Sequence, residues 1–430
     1  ILIFLDGMEI KNITVLGSGI MGHGIAQVSA MAGYNVVLRD IEQPFLDKAM
    51  EKIKWSLDKL VSKEKISENE RDEIFSRIKP IVDLKDAVHD CDLVIEAVPE
   101  IMELKKKVYA ELDKVASDQV VFASNTSTLP ITEIANTISR PKKFIGIHFF
   151  NPPQLMKLVE VIPGQETSDD ITNLTINFVK SVNKIPVTCR KDVPGFIVNR
   201  LFIPLVHEAC YVMERQKIQQ TEIDSAVKFR LGFPMGIFEL ADFTGLDVIH
   251  KATVEMHVRD KKVISPHPKI EQLFNEKKLG QKSGEGFYKY SDDKYERIPL
   301  SEELAKKCDP IQIIANILNN AAWLVTNNAS DIDEIEKAAN LGLGLKKPLF
   351  ETAKEIGMRK IVDELKELSN KEKIKLLNLL PEGWFDKKEH EFTKQQKANL
   401  DKALAKEDKG ESRFHSWSEI ESYVRNPDNV

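Results

Sequence analysis

The chain has 430 residues, 42% of them hydrophobic and 30% charged. At roughly 100–200 residues per domain, that is material for two to four domains with sizeable apolar cores. A net charge of −6 excludes a chain-wide basic nucleic-acid binder, and four cysteines without a CxxC pair exclude a disulfide scaffold.

A reducing cytoplasm fits this cysteine usage best, and no metal is expected. The apolar run inside residues 1–7 lacks a basic flank and is too short for a signal peptide. No stretch approaches the roughly 20 apolar residues that span a bilayer, so no membrane partner is expected. Met8 is the more natural start, and residues 1–7 read as an extension outside the fold.

Residues 12–16 (NITVL) read as a short apolar strand, followed by a glycine-rich turn and an apolar helix through Ala32. A second strand runs from Asn35 to Arg39, which completes a β-turn-α-β unit. Charged, helix-periodic sequence over 43–78 predicts two helices forming a hairpin. Apolar runs recur at 93–98, 120–124 and 144–150, separated by helical patterns. This alternation predicts a mainly parallel, doubly wound α/β sheet.

Near Pro194 the pattern becomes almost wholly helical, beginning with one long periodic stretch from Phe196 to Arg215. The segment 223–247 is echoed at 332–358: Asp224 pairs with Asp333, Glu239 with Glu351 and Gly245 with Gly357. The helical half therefore reads as duplicated, although amphipathic helices resemble one another in any case. The expected division is an α/β domain over 8–193, with the hairpin inserted at about 43–78, and a first helical domain over 194–295. A second, degenerate helical domain over 309–382 follows, then a polar tail or linker over 383–430.

The turn after the first strand is Gly17-Ser18-Gly19-Ile20-Met21-Gly22, a GxGxxG. Its glycines permit a tight turn, backbone approach to a pyrophosphate, and close helix–strand packing. Amides of Gly19, Ile20 and Met21 at the helix start would face the phosphates. Alone the motif is weak, but here it follows a strand, opens a helix, and is followed 23 residues after Gly17 by Asp40 at the end of the next strand. A carboxylate there suits a ribose 2′-hydroxyl and repels a 2′-phosphate, so a Rossmann-type site for NAD is expected rather than one for NADP. Arg39 beside it weakens that preference slightly.

Three further segments carry chemistry. FASNTSTL (122–129) and HFFNPP (148–153) end strands in polar groups, where a doubly wound sheet places its ligands. LVEVI (158–162) sets a carboxylate inside an apolar run. Each has a plainer reading: Ser127 as a cap for the helix that Pro130 begins, His148 as a hydrogen-bonded core histidine, Glu160 as the partner of any cation or an edge-strand acid facing solvent. Together they suggest a buried carboxylate paired with a histidine suited to general-base work near neutral pH.

The sequence resembles the L-3-hydroxyacyl-CoA dehydrogenase family. The matching segments are LGSGIMGHGIAQ (16–27), EAVPE (96–100), FASNTSTL, HFFNPP, MKLVEVI (156–162), DVPGFIVNR (192–200), LGFPMGIFELADFTGLD (231–247) and KSGEGFYKY (282–290), in family order. The resemblance implies NAD-dependent oxidation of (S)-3-hydroxyacyl-CoA to 3-ketoacyl-CoA. His148 would be the general base and Glu160 its steadying carboxylate, with Ser127 and Asn199 hydrogen-bonding the reacting oxygen or the thioester carbonyl. It also implies Glu100, Lys105 and Asn151 near the nicotinamide ribose, and Lys282 reaching the cofactor from the helical half. Without the family, Lys105 in its run of three lysines reads as a solvated helix face, and Lys282 equally as a loop lysine. Ser56 and Lys63 on the hairpin match the family's grip on coenzyme A, though the diverged hairpin also reads as an ordinary charged helix.

Members of the family dimerise through the helical domain; the resemblance implies that a second copy here would occupy the partner's surface in a monomeric pseudo-dimer, with a homodimer as the alternative. The copy reads Gly344-Leu345-Lys346-Lys347-Pro348 where the first has Gly232-Phe233-Pro234-Met235-Gly236, which suits scaffolding rather than catalysis. Longer relatives fuse such a dehydrogenase to an enoyl-CoA hydratase, a further partner by resemblance. Two alternatives stay open: a dehydrogenase of a free 3-hydroxy acid, and a non-catalytic NAD-binding structural protein on the same fold.

Overall fold

The computed structural model describes residues 4–5, 8–263, 265–291, 294–357 and 360–361. The chain divides into two compact units, one made of residues 1–203, 251–260 and 327–344, the other of 204–250, 261–326 and the chain from 345 on. The proposed tail over 383–430 and residues 362–382 lie outside the described residues.

The first unit is built on an eight-stranded sheet. Its strands are β1 (Asn12–Leu16), β2 (Asn35–Arg39), β3 (Ile78–Ile81), β4 (Leu93–Glu96), β5 (Val121–Ser124), β6 (Phe144–Phe149), β7 (Leu158–Pro163) and β8 (Ile185–Thr188). The order across the sheet is β8-β7-β6-β5-β4-β1-β2-β3. From β3 to β6 neighbours run parallel; β7 pairs antiparallel with β6, and β8 parallel with β7. β4, β5 and β6 are buried at every residue. Central strands covered on both faces read as continuous apolar runs, which is how the sequence displays them.

α1 (Ile20–Met31) follows β1, and the predicted hairpin is α2 (Gln43–Ser62) and α3 (Glu68–Ser76). α3 opens on a reciprocal cap, with Ser67 Oγ accepting from Glu70 N and Glu70 accepting from Ser67 N. The connections to the later strands carry α4 (Leu84–Ala87), α5 (Met102–Val115), α6 (Ile131–Ala135) and α7 (Asp169–Ser181). Two strands of this sheet escape the sequence reading: Ile78–Ile81, where the hairpin's expected end becomes an edge strand, and Ile185–Thr188. Phe4–Leu5 pairs antiparallel with Met8–Glu9.

Beyond Pro194 the described chain is mainly helical: α8 (Val198–Gln216), α9 (Gln220–Arg230), α10 (Ile237–Thr244), α11 (Leu246–Arg259), α12 (Pro268–Asn275), α13 (Glu302–Ala305), α14 (Ile311–Thr326), α15 (Ile332–Leu343) and α16 (Leu349–Ile356). In the second unit, Asp224 on α9 accepts from Phe238 N, Glu239 N and Tyr288 Oη, which ties the start of α10 to the 284–290 loop. Asp242 accepts from Phe287 N, Tyr288 N and Tyr290 Oη of the same loop. Within the first unit, α15 covers the edge strand β8: Thr188 N donates to Glu334 and Arg190 pairs with Asp331.

Candidate active site

The glycine turn has the geometry its motif requires. Gly17 sits at φ +90° and donates to the Arg39 carbonyl. A Cβ on Gly22 would lie 1.7 Å from the Gly17 carbonyl oxygen, so only glycine lets α1 start so close to β1. A Cβ on Gly19 would meet nothing within 4 Å, which leaves that face open to a ligand. α1 has no side-chain cap and no acid in its first turn, so its leading amides are available to an anion.

Asp40, at the end of β2, completes the cradle. Its Oδ2 accepts from Ser18 N and Ser18 Oγ, both at 2.7 Å, and its Oδ1 from Ile41 N. The carboxylate is thus fixed beside the turn, where a ribose hydroxyl can donate to it. Arg39 Nε donates to the Val82 carbonyl, so this neighbouring cation is already engaged. These residues fit a dinucleotide with a free 2′-hydroxyl.

The candidate acid–base residues converge at the same end of the sheet. The β6–β7 register sets His148 opposite Glu160. His148 Nδ1 lies 2.6 Å from Glu160 Oε2. A carboxylate only accepts, so Nδ1 carries the ring proton and Nε2 is left with its lone pair. Glu160 is fully buried, and its Oε1 accepts from Ile197 N at 3.0 Å and Val198 N at 2.9 Å at the start of α8. Phe150 packs on the imidazole at 4.4 Å between ring centroids.

Asn199 Nδ2 donates to the Ser127 carbonyl at 3.0 Å. Ser127 does not cap α6, whose N-cap is Pro130 without a side-chain bond; Thr126 Oγ1 accepts from Leu129 N instead. Asn125 Oδ1 accepts from Phe149 N and joins the ends of β5 and β6. Asn151 is exposed just past β6.

Lys105 is not on a solvated face. It is wholly buried, with Nζ 2.6 Å from Glu96 Oε1 and 3.3 Å from Glu100 Oε2. Glu100 Oε1 in turn accepts from Thr126 Oγ1, Ser127 N and Thr128 N. Sequence reasoning passed over Glu96 except as part of EAVPE. The available signal was an acid closing the apolar run Leu93-Val94-Ile95, nine residues before a lysine.

Ser56 is half-buried on α2, and Lys63 is exposed at its C-terminal end. Lys282 belongs to the second unit, where it pairs with Asp247. Among the described residues no group of three histidine, cysteine or acidic side chains is placed to hold a metal ion.

Family models described as 3-hydroxyacyl-CoA dehydrogenase, NAD binding domain, and 3-hydroxyacyl-CoA dehydrogenase, C-terminal domain, match residues 12–193 and 195–290. A mitochondrial hydroxyacyl-coenzyme A dehydrogenase of Rattus norvegicus is 44% identical over 289 residues, 65% of this chain and 91% of that protein. A fatty acid oxidation complex subunit alpha of Idiomarina loihiensis is 39% identical over 72% of this chain and 44% of its own length. The crystal structure of 3-hydroxybutyryl-CoA dehydrogenase from Escherichia coli K12 superposes with a TM-score of 0.77 at 26% identity, covering 86% of this chain and 98% of that one.

Proposed function

Because the chain belongs to the 3-hydroxyacyl-CoA dehydrogenase family, an NAD-dependent oxidoreductase group, we propose that it interconverts (S)-3-hydroxyacyl-CoA and 3-ketoacyl-CoA with His148 and Glu160 as its acid–base pair. The observation that carries this reading is the 2.6 Å contact between His148 Nδ1 and the buried Glu160 carboxylate.

NAD, when bound, supplies the hydride acceptor. The protein's part is to remove the hydroxyl proton as the hydride leaves. His148 Nε2 takes that proton, and Glu160 holds the ring in the accepting tautomer and stabilises the imidazolium. The two amides at the start of α8 keep the carboxylate oriented. Ser127 and Asn199 donate to the reacting oxygen or to the thioester carbonyl. Asp40 and the turn Gly17–Gly22 hold the adenosine and diphosphate; Glu100, Lys105 and Asn151 lie toward the nicotinamide ribose; Ser56 and Lys63 take the coenzyme A end of the substrate.

The duplicated helical region is part of the same reading. α9 and α10 end before Gly232 and at Gly245, with φ of +78° and +100°, and α15 and α16 end at Gly344 and Gly357, with φ of +71° and +105°. This repeated spacing supports a second copy, and Gly344-Leu345-Lys346-Lys347-Pro348 in place of Gly232-Phe233-Pro234-Met235-Gly236 suits a scaffold rather than a catalytic unit.

The test is a steady-state assay with 3-ketoacyl-CoA of increasing length, starting from acetoacetyl-CoA, with NADH and NADPH in parallel. NADH-dependent reduction is expected, and His148→Ala should abolish it while NADH still binds. Turnover of free 3-hydroxy acids alone, or tight NADH binding with no turnover of any thioester, would reject the proposal.

A further inference from the structure

Glu96, the buried partner of Lys105, has no task in the chemistry above. Its Oε1 accepts from Lys105 Nζ at 2.6 Å and Val98 N at 2.8 Å, and its Oε2 from Ser124 Oγ at 2.6 Å. Glu96 and Lys105 are both 0% exposed. Burial pushes the Glu96 carboxyl up from its ordinary value, and Lys105 and Ser124 offset part of that push. A buried ion pair is weak evidence of stabilisation, since apolar residues of similar volume often do as well. Its presence at the end of an apolar strand therefore asks for another reason.

The sheet order supplies one. β2 carries Asp40, β1 the glycine turn, β4 Glu96 and β5 the Ser127 loop, and they lie side by side in that order. A dinucleotide lies across the C-terminal ends of such strands. With its adenosine at β2 and its diphosphate at β1, its nicotinamide end falls toward β4 and β5. Two carboxylates, Glu96 and Glu100, flank one ammonium there, so the group carries one net negative charge. Glu100 is also the acceptor that fixes the Ser127 amide at 2.8 Å.

We propose that Glu96 is a positioning residue that acts through Lys105: it orients Glu100 and with it the Ser127 loop, and it sets a net negative charge that favours the oxidised, cationic nicotinamide over the reduced, neutral one. The inference rests on the NAD site of the proposed function and is independent of which thioester is turned over.

The Glu96→Gln change can keep every hydrogen bond, with the amide oxygen accepting from Lys105 and Val98 and the amide NH2 donating to Ser124. It removes only the charge. The dissociation constants of NAD+ and NADH are measured separately by calorimetry and NADH fluorescence at pH 8. Glu96→Gln is expected to raise the ratio of the NAD+ constant to the NADH constant roughly ten-fold, the scale of one charge at the effective dielectric near a protein surface. Adding Lys105→Gln restores one net negative charge and should return the ratio to about its original value, even if both affinities fall. An unmoved ratio in Glu96→Gln, both constants raised by one common factor, or a ratio driven further away in the double variant overturns the proposal.

Should Glu96→Gln not fold, Glu100→Gln decides the charge. It leaves Glu96 and Lys105 paired with no net charge and should raise the ratio, and an unmoved or lowered ratio overturns the proposal. Thioester turnover by the unaltered protein is assayed separately. If that fails while the ratios behave as expected, the function falls and this inference stands.

Discussion

Glu160 shows how one residue's surroundings fix its chemistry. Its Oε1 already receives two backbone amides, from Ile197 and Val198, so its other oxygen faces His148. In Glu160→Gln the amide oxygen must stay with those two donors, and the NH2 group is turned toward Nδ1. Nδ1 must then accept, the ring proton moves to Nε2, and the base is lost with no change of shape. The variant is expected to lose about 10²–10⁴-fold in kcat while its NADH dissociation constant stays unchanged. A stopped-flow assay that finds kcat intact, or a loss confined to NADH binding, would remove Glu160 from the chemistry. The pair was legible because a carboxylate in Leu158-Val159-Glu160-Val161-Ile162 has few ways to be buried, and the antiparallel register supplies the partner. Lys105 was not legible without the family: a run of three lysines looks solvated, and only the distant end of β4 makes one of them a buried ion.

At the scale of elements, the 284–290 loop is held to α10 by buried acids, and this has a pH signature. Burial pushes Asp224 up to about 7 and Asp242 up to about 6, whereas an unfolded aspartate titrates near ~3.9. The folded state therefore favours the protonated acids. Their contribution is complete below about pH 4 and is lost as pH rises through 6 and 7. His207, buried and pushed down to about 3, acts the other way, so the readout is the difference between variant and parent. Asp242→Asn cannot ionise, and its amide NH2 opposes one of the donors on Oδ2, Tyr288 N or Tyr290 Oη. Its unfolding temperature should lie furthest below the parent's at pH 5 and recover toward it by pH 8, as calorimetry would read; a deficit constant across that range contradicts the assignment. These contacts tie residues dozens of positions apart, so no local pattern announces them. The long helices and the buried strands were readable from periodicity alone. Ile78-Lys79-Pro80-Ile81 and Ile185-Pro186-Val187-Thr188 were not, because four residues with a proline show no period, and pairing to β2 and β7 decides their conformation.

For the whole molecule, the question is what covers the edge of the sheet. An open edge strand offers unpaired backbone groups to another chain. The rat relative matches only 65% of this chain yet 91% of its own length, so most of the added third has no counterpart there. Part of that addition is spent on the edge: Glu334 of α15 accepts from Thr188 N, Ser330 Oγ donates to the Thr188 carbonyl, and Arg190 N donates to the Ala329 carbonyl. Gly342 on the same helix lies so close that a Cβ would come within 2.9 Å of Val198 and 3.1 Å of Leu158. A helix seated this closely leaves no room for a second chain on β8. We expect the parent's mass by light scattering not to grow with concentration. Gly342→Leu should unseat α15, uncover β8 and add concentration-dependent association, with a rise in mass that dilution reverses. A Gly342→Leu variant whose mass stays at the parent's with α15 demonstrably displaced would show that the added helices serve some other end.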